Sequence, residues 1–245
     1  YAASSAPPGG PCRQRGESPM KRILIPSQAP EDWKWLLAKP ELHWRPGRSA
    51  MSCALAWELA ADRLPPRISE ALDASGESAL AGLELLAAVP EWQVALPGGT
   101  TTSNTDVMAF CSNAAGLCVI AVEAKVDESF GPLLGEKRRA GEAGAHTRIK
   151  FLEELLHVPP FGDEIRYQLL HRTASAVLTA RAFHAATAVM LVQAFGTPAH
   201  RQDDFHRFLD AARAIKLNGA VWQLASHRQP RLYLAWVDDA APHDI

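Results

Sequence analysis

At 245 residues and 47% hydrophobic content, the chain can bury a sizeable core, either as one large domain or as one domain plus a small lobe. Lys and Arg total 25 against 27 Asp and Glu, a formal net charge of −2, so no global basicity advertises a nucleic-acid partner and local patches must be weighed separately. No apolar run approaches the ~18 residues that span a bilayer, and no basic head followed by an apolar stretch marks a secretion signal, which argues for a cytoplasmic protein with no membrane partner.

Residues 1–19 are rich in Pro, Gly and Ser and carry almost nothing to bury. They read as a disordered or non-native tail, because Met20-Lys21-Arg22-Ile23-Leu24-Ile25-Pro26 looks like a natural start. A short strand is expected over 23–25 and a short helix over 31–37, with Trp33 and Leu36–Leu37 inward. Ser49 suits the N-cap of a helix through 61, in which Met51, Leu55 and Leu59 recur at helical spacing. Pro65-Pro66 ends it, and another short helix covers 67–72. Together these make an N-terminal helical lobe, 20–76, packed on an α/β core, 77–245. The core opens with a helix over 78–89 carrying Leu80, Leu83 and Leu86 on one face and Glu84 beside them. A strand over 92–96, a Pro97-Gly98-Gly99 turn and a polar approach over 100–104 follow.

The stretch that carries chemistry is a β-hairpin, Thr105 to Cys111 and then Leu117 to Asp127. Leu117 to Val122 is wholly apolar, the pattern of a strand covered on both faces. The same strand then delivers Glu123, Lys125 and Asp127, which share a face with Leu117, Val119 and Ala121 because side chains alternate. Antiparallel pairing brings Asp106 beside Glu123. Charges at the end of a buried strand are costly unless paired or bound to metal. A divalent cation held by Asp106 and Glu123 would compensate them. A buried Asp106–Lys125–Glu123 ion network without catalysis is the competing account. Of the four cysteines, Cys12, Cys53, Cys111 and Cys118, none has zinc-ligand spacing, and free buried thiols are expected.

Beyond the hairpin, Lys137-Arg138-Arg139 is the most basic local run. It is either a solvated helix surface or a phosphate-contacting flank. A short amphipathic helix over 147–156 ends at Pro159-Pro160. Asp163 is the expected N-cap of the longest helix, 163–183, whose buried stripe is Ile165, Leu169, Ala176, Ala180 and Phe183. Gln168, Arg172, Ser175 and Thr179 form a separate polar stripe. If this helix crosses the sheet beside the hairpin, Gln168 should point at the reacting centre, and Arg172 should contact a phosphate or buttress Glu123. A strand over 188–195, a helix over 200–216 and strands over 221–225 and 232–237 complete the chain. No G-x-S-x-G elbow occurs, the nine histidines have no metal-ligand spacing, and His157 and His171 read as surface or capping residues.

The order helix, three strands, helix, strand, with Asp106 on the second strand and Glu123-Ala124-Lys125 on the third, resembles the PD-(D/E)xK nuclease-like superfamily over residues 78–195. Thr105-Asp106, Val122 to Asp127 and Arg166 to Arg172 look like a bacterial branch of it. The resemblance implies a restriction-endonuclease-like core: a mixed central sheet flanked by helices. It implies Mg²⁺ or Mn²⁺ held by Asp106 and Glu123, with Glu84 as the added helix acid of some members. Asp106, Glu123 and Lys125 would be catalytic. Gln168 matches the helix glutamine of some exonuclease branches, although their tyrosine four residues on is Arg172 here. Thr105 stands where the motif has proline. Arg172, Lys137, Arg138 and Arg139 would contact substrate phosphates. The function implied is metal-dependent hydrolysis of nucleic acid, DNA before RNA, in defence or repair, by a homodimer. The alternative is a non-catalytic module on the same fold that binds nucleic acid or protein.

Overall fold

Alternation and apolar runs in the middle of the chain produce an antiparallel meander, β1 (Glu84–Val94), β2 (Ser103–Asn113) and β3 (Gly116–Lys125). This is a computed structural model describing residues 22–25, 27, 29–141 and 144–240, and the proposed tail at 1–19 lies outside them. β4 (Thr187–Phe195) joins β3 in parallel, and β7 (Arg231–Asp239) joins β4 in parallel. With the short β5 (Ile215–Lys216) and β6 (Val221–Gln223), the seven-stranded mixed sheet runs β1-β2-β3-β4-β7-β6-β5.

Helices cover both faces, which is why β3 and β4 read as continuous apolar runs. On one face lie α5 (Ala145–Leu156), α6 (Tyr167–Ala182) and α7 (Ala199–Ala211), burying Leu152, Leu169, Phe205 and Phe208 against Val119, Ala121 and Met190. The short α4 (Leu134–Arg139) sits beside them with Leu134 buried. On the other face, a 3-10 turn (Pro30–Leu36), α1 (Pro40–His43), α2 (Ser49–Ala60) and α3 (Pro66–Ala74) precede the sheet in sequence. Trp33, Trp57, Ile68 and Leu72 there share a cluster with Ile120, Val122 and Leu191. Trp57 Nε1 donates to Gln193 Oε1 of β4 at 3.1 Å, which ties the N-terminal lobe to the sheet, and Trp33 Nε1 donates to Glu58 of α2 at 2.7 Å within the lobe.

The helix expected over 78–89 is a correction: from Glu84 onward this segment is β1. Leu83, Leu85, Ala87 and Val89 recur with a period of two, while Leu80, Leu83 and Leu86 recur at helical spacing, so a short apolar run is ambiguous by itself. Tertiary pairing decides it. β1 is the edge strand, where Pro90 is tolerated although it has no N–H to donate. Ile23 makes the short expected strand contact there: Leu24 N donates to Ala88 O and Ala88 N to Arg22 O, each at 2.8 Å. Two smaller differences are that the long helix begins after N-cap Arg166 instead of Asp163, and that α2 begins after N-cap Arg48 with Ser49 as its first residue. Cys111 and Cys118 face each other across the hairpin as free buried thiols, as expected.

Candidate functional site

The ladder that pairs Val107 with Val122 places Asp106 in the row of Glu123, where the hairpin pairing ends. There the Asp106 side chain takes over, its Oδ2 accepting the Ala124 N–H at 2.7 Å. Glu123 and Lys125 turn toward α6 and are 2% and 4% exposed. Lys125 Nζ donates to Glu123 Oε1 at 2.7 Å and to Gln168 Oε1 at 3.1 Å, and stands 5.1 Å over the Phe130 ring. Gln168 Nε2 donates to Glu123 Oε1 at 2.6 Å, and Arg172 Nε donates to Glu123 Oε2. Gln168 and Arg172 therefore both reach Glu123 directly from the long helix.

The rest of the polar stripe faces inward as well. Ser103 Oγ receives hydrogen bonds from Arg172 at 2.8 Å and Ser175 Oγ at 2.9 Å, and lies 2.8 Å from His171 Nδ1. Thr179 Oγ1 accepts from Trp92 Nε1 at 3.2 Å. His171, expected at the surface, is half-buried against Tyr167 with ring centroids 4.7 Å apart. Burial, then the Arg172 charge, push its pKa well below the usual histidine range, so it is neutral. His157 does cap a helix, closing α5 in a left-handed conformation.

The third acid differs from the expected one. Glu84 is exposed at the far end of β1, opposite Ser112, because the segment is a strand. The register pairing Pro90 with Val107 and Trp92 with Thr105 puts Glu91 across from Asp106. Glu91 has φ 51, a conformation that a side-chain-bearing residue in a strand adopts at a cost. Glu91 and Asp106 line one cavity of about 20 Å³, roofed by Trp33, Trp44 and Cys53 and roomy enough for a water-sized body. Sequence reading missed Glu91. The signal was an acid inside the apolar alternation from Leu85 to Val94, visible once that segment is taken as a strand.

Environment separates these carboxyls. Burial, then repulsion from Asp106, push Glu91 up to about 8. Burial, then repulsion from Glu123, push Asp106 up to about 7. Burial would raise Glu123 too, but Arg172 and Lys125 outweigh it and hold that carboxyl at about 2. Asp106 and Glu91 thus form a pair of hard oxygen donors repelling each other across a small cavity, a donor set that fits a divalent cation. Glu123 is already committed through both oxygens to Lys125, Gln168 and Arg172. Among the described residues, no group of three His, Cys, Asp or Glu is placed to enclose a metal ion.

The basic run divides. Arg138 is an internal cross-link, 2.6 Å from Asp163, donating to Phe161 O at 2.9 Å and 3.6 Å from Glu153. Arg139 is exposed and, among the described residues, reaches only Asp163, at 3.5 Å. These two do not join the acids. Lys137 lies 5.5 Å over the Tyr167 ring and lines a second cavity with Arg148.

A family model described as "Domain of unknown function (DUF6946)" matches residues 26–241, a span that includes the N-terminal helices and the whole sheet. No curated protein and no solved structure matches the chain.

Proposed function

The chain belongs to the DUF6946 family, and for this member we propose a divalent-cation-dependent nuclease, hydrolysing phosphodiester bonds of nucleic acid on a restriction-endonuclease-like core. The observation that supports this reading best is Lys125: a buried ammonium held at 2.7 Å by Glu123 and 3.1 Å by Gln168, one strand from Asp106. Asp106 and Glu91 would hold Mg²⁺ or Mn²⁺, with Glu123 next in the row. Bound there, the cation would lower the pKa of a water and stabilise charge on phosphoryl oxygens.

The chain's own residues supply the rest. Lys125 and Gln168 orient the attacking water and donate to a phosphoryl oxygen as its charge grows. Arg172 keeps Glu123 ionised and fixes its rotamer, so that Lys125 stays aligned. Such alignment is worth orders of magnitude when reacting groups must meet within ångströms. DNA is the first substrate to try, and a cytoplasmic protein acting as a dimer is the setting proposed.

One observation favours a second reading, a non-catalytic module that binds nucleic acid or protein: both Glu123 oxygens are satisfied within the chain. A cleavage assay decides between them. With Mg²⁺ or Mn²⁺, wild type should cut plasmid or single-stranded DNA, and Asp106→Ala and Lys125→Met should each lose about 100-fold or more. Lys125→Met should keep its Mn²⁺ affinity by calorimetry, whereas Asp106→Ala should lose it. Undiminished cleavage by Lys125→Met, or none by wild type with either metal, overturns the nuclease reading.

A further inference from the structure

A cavity of about 190 Å³ opens at the start of α6, lined by Gly98, Gly99, Thr101, Lys137, Arg148 and Tyr167. Its wall is the β1–β2 turn pressed on the N-terminus of α5. A Cβ on Gly98 or on Gly144 would run into the other's carbonyl oxygen, and both have positive φ, 79 and 84, so the contact requires glycine at each position. Arg148 is 8% exposed. It donates to Pro97 O at 2.8 Å, Thr101 Oγ1 at 2.8 Å and Leu96 O at 3.3 Å, all of them neutral acceptors.

Among the described residues, no carboxylate pairs with Arg148, an unusual state for a buried guanidinium. Its three bonds leave two of five N–H groups for a ligand. The ammonium of Lys137 lines the same cavity, and so does Ala145, the first residue of α5, whose leading N–H groups have no partners within the helix. Two cations and a hydroxyl thus line a space larger than a single small anion, beside the first turn of α5.

The cavity adjoins the acid cluster. Tyr167 precedes Gln168 and packs on His171, and Thr101 lies two residues before Ser103, which holds Arg172. We propose that this cavity is a phosphate-monoester subsite, seating the terminal phosphate of a nucleic-acid strand. The doubly charged monoester suits two cations better than a singly charged diester does. That the ligand is a nucleic-acid end rests on the nuclease reading; the phosphate recognition rests on the cavity itself.

Calorimetry of the full chain in metal-free buffer tests this with three single-stranded tetranucleotides: 5′-phosphorylated, 3′-phosphorylated and unphosphorylated. One phosphorylated form should bind about tenfold tighter than the bare oligomer, and which form does so identifies the end recognised. Lys137→Ala should abolish that preference, and Asp106→Ala should leave it intact. Because Arg148 also holds the turn, Lys137→Ala carries the test, with Arg148→Lys as a second variant checked by melting. Equal affinity for all three oligomers, or a preference unmoved by Lys137→Ala, overturns the subsite. Phosphate preference in a protein that cleaves nothing would sustain the subsite while removing the nuclease reading; cleavage without preference would do the reverse.

Discussion

Glu123 shows what a buried charge requires. Arg172, Lys125 and Gln168 surround it, and the two cations more than offset the burial that would otherwise protonate it. Removing one member would leave the others desolvated and unpaired, which costs about 3–5 kcal/mol in comparable buried pairs. His171 next to Arg172 carries the opposite lesson. Its folded pKa lies below the usual 6.5, through burial first and Arg172 second. Between those two pH values the unfolded chain binds more protons than the folded one, so this group's contribution to stability falls as pH drops below about 6.5. His171→Phe, which keeps a ring against Tyr167, should narrow its stability gap to wild type at pH 5.5 relative to pH 7.5. Urea midpoints at the two pH values check it; a gap that stays constant or widens on acidification removes the assignment.

Among the elements, α6 and β1 were the instructive ones. A polar stripe on a long helix usually faces water, yet here it faces the sheet, because the strands beneath it end in Glu123 and Lys125 and in the Ser103 hydroxyl. α2 depends on a residue far away in sequence. Glu128, in the loop after β3, accepts from Ser49 N and Ser49 Oγ, each at 3.1 Å, and from Val126 N at 3.0 Å. Burial acts to raise its carboxyl, but these hydrogen bonds hold it below the usual range. A carboxylate at a helix N-terminus stabilises it by satisfying an N–H without a helical partner and by opposing the helix dipole. Glu128→Gln should therefore cost about 1 kcal/mol in chemical denaturation. No loss would mean that the buried face of α2, Cys53, Ala54 and Trp57, holds the helix without this contact.

For the molecule as a whole, the consequence is linkage between the acid pair and the fold. Trp33 and Trp44 of the N-terminal lobe roof the cavity that Asp106 and Glu91 line, so the lobe and the sheet meet at the donors proposed for the cation. A cation binding only the folded chain would stabilise it by about 2.7 kcal/mol at a hundred times its dissociation constant. Mn²⁺ should raise the melting temperature of wild type, and should not raise that of Asp106→Ala or of Glu91→Gln to the same extent. A shift of equal size in Glu91→Gln would exclude Glu91 from the donor set while leaving Asp106 in it.

The local pattern of the chain was enough to place β2, β3, β4 and α6, and with them Asp106, Glu123, Lys125, Gln168 and Arg172 around one sheet end. Alternation fixes which side chains share a strand face, and helical spacing fixes which share a stripe, so these relations are carried within each segment. Other features depended on partners distant in sequence. A run such as Leu83 to Val89 fits helix and strand equally, and only pairing with β2 and Ile23 made it a strand, moving Glu84 away and bringing Glu91 to Asp106. Arg138 and Arg148 look alike in sequence, two cations among several. Packing joins one to Asp163 and buries the other against neutral carbonyls, because a charge's role is set by what the fold brings within a few ångströms of it.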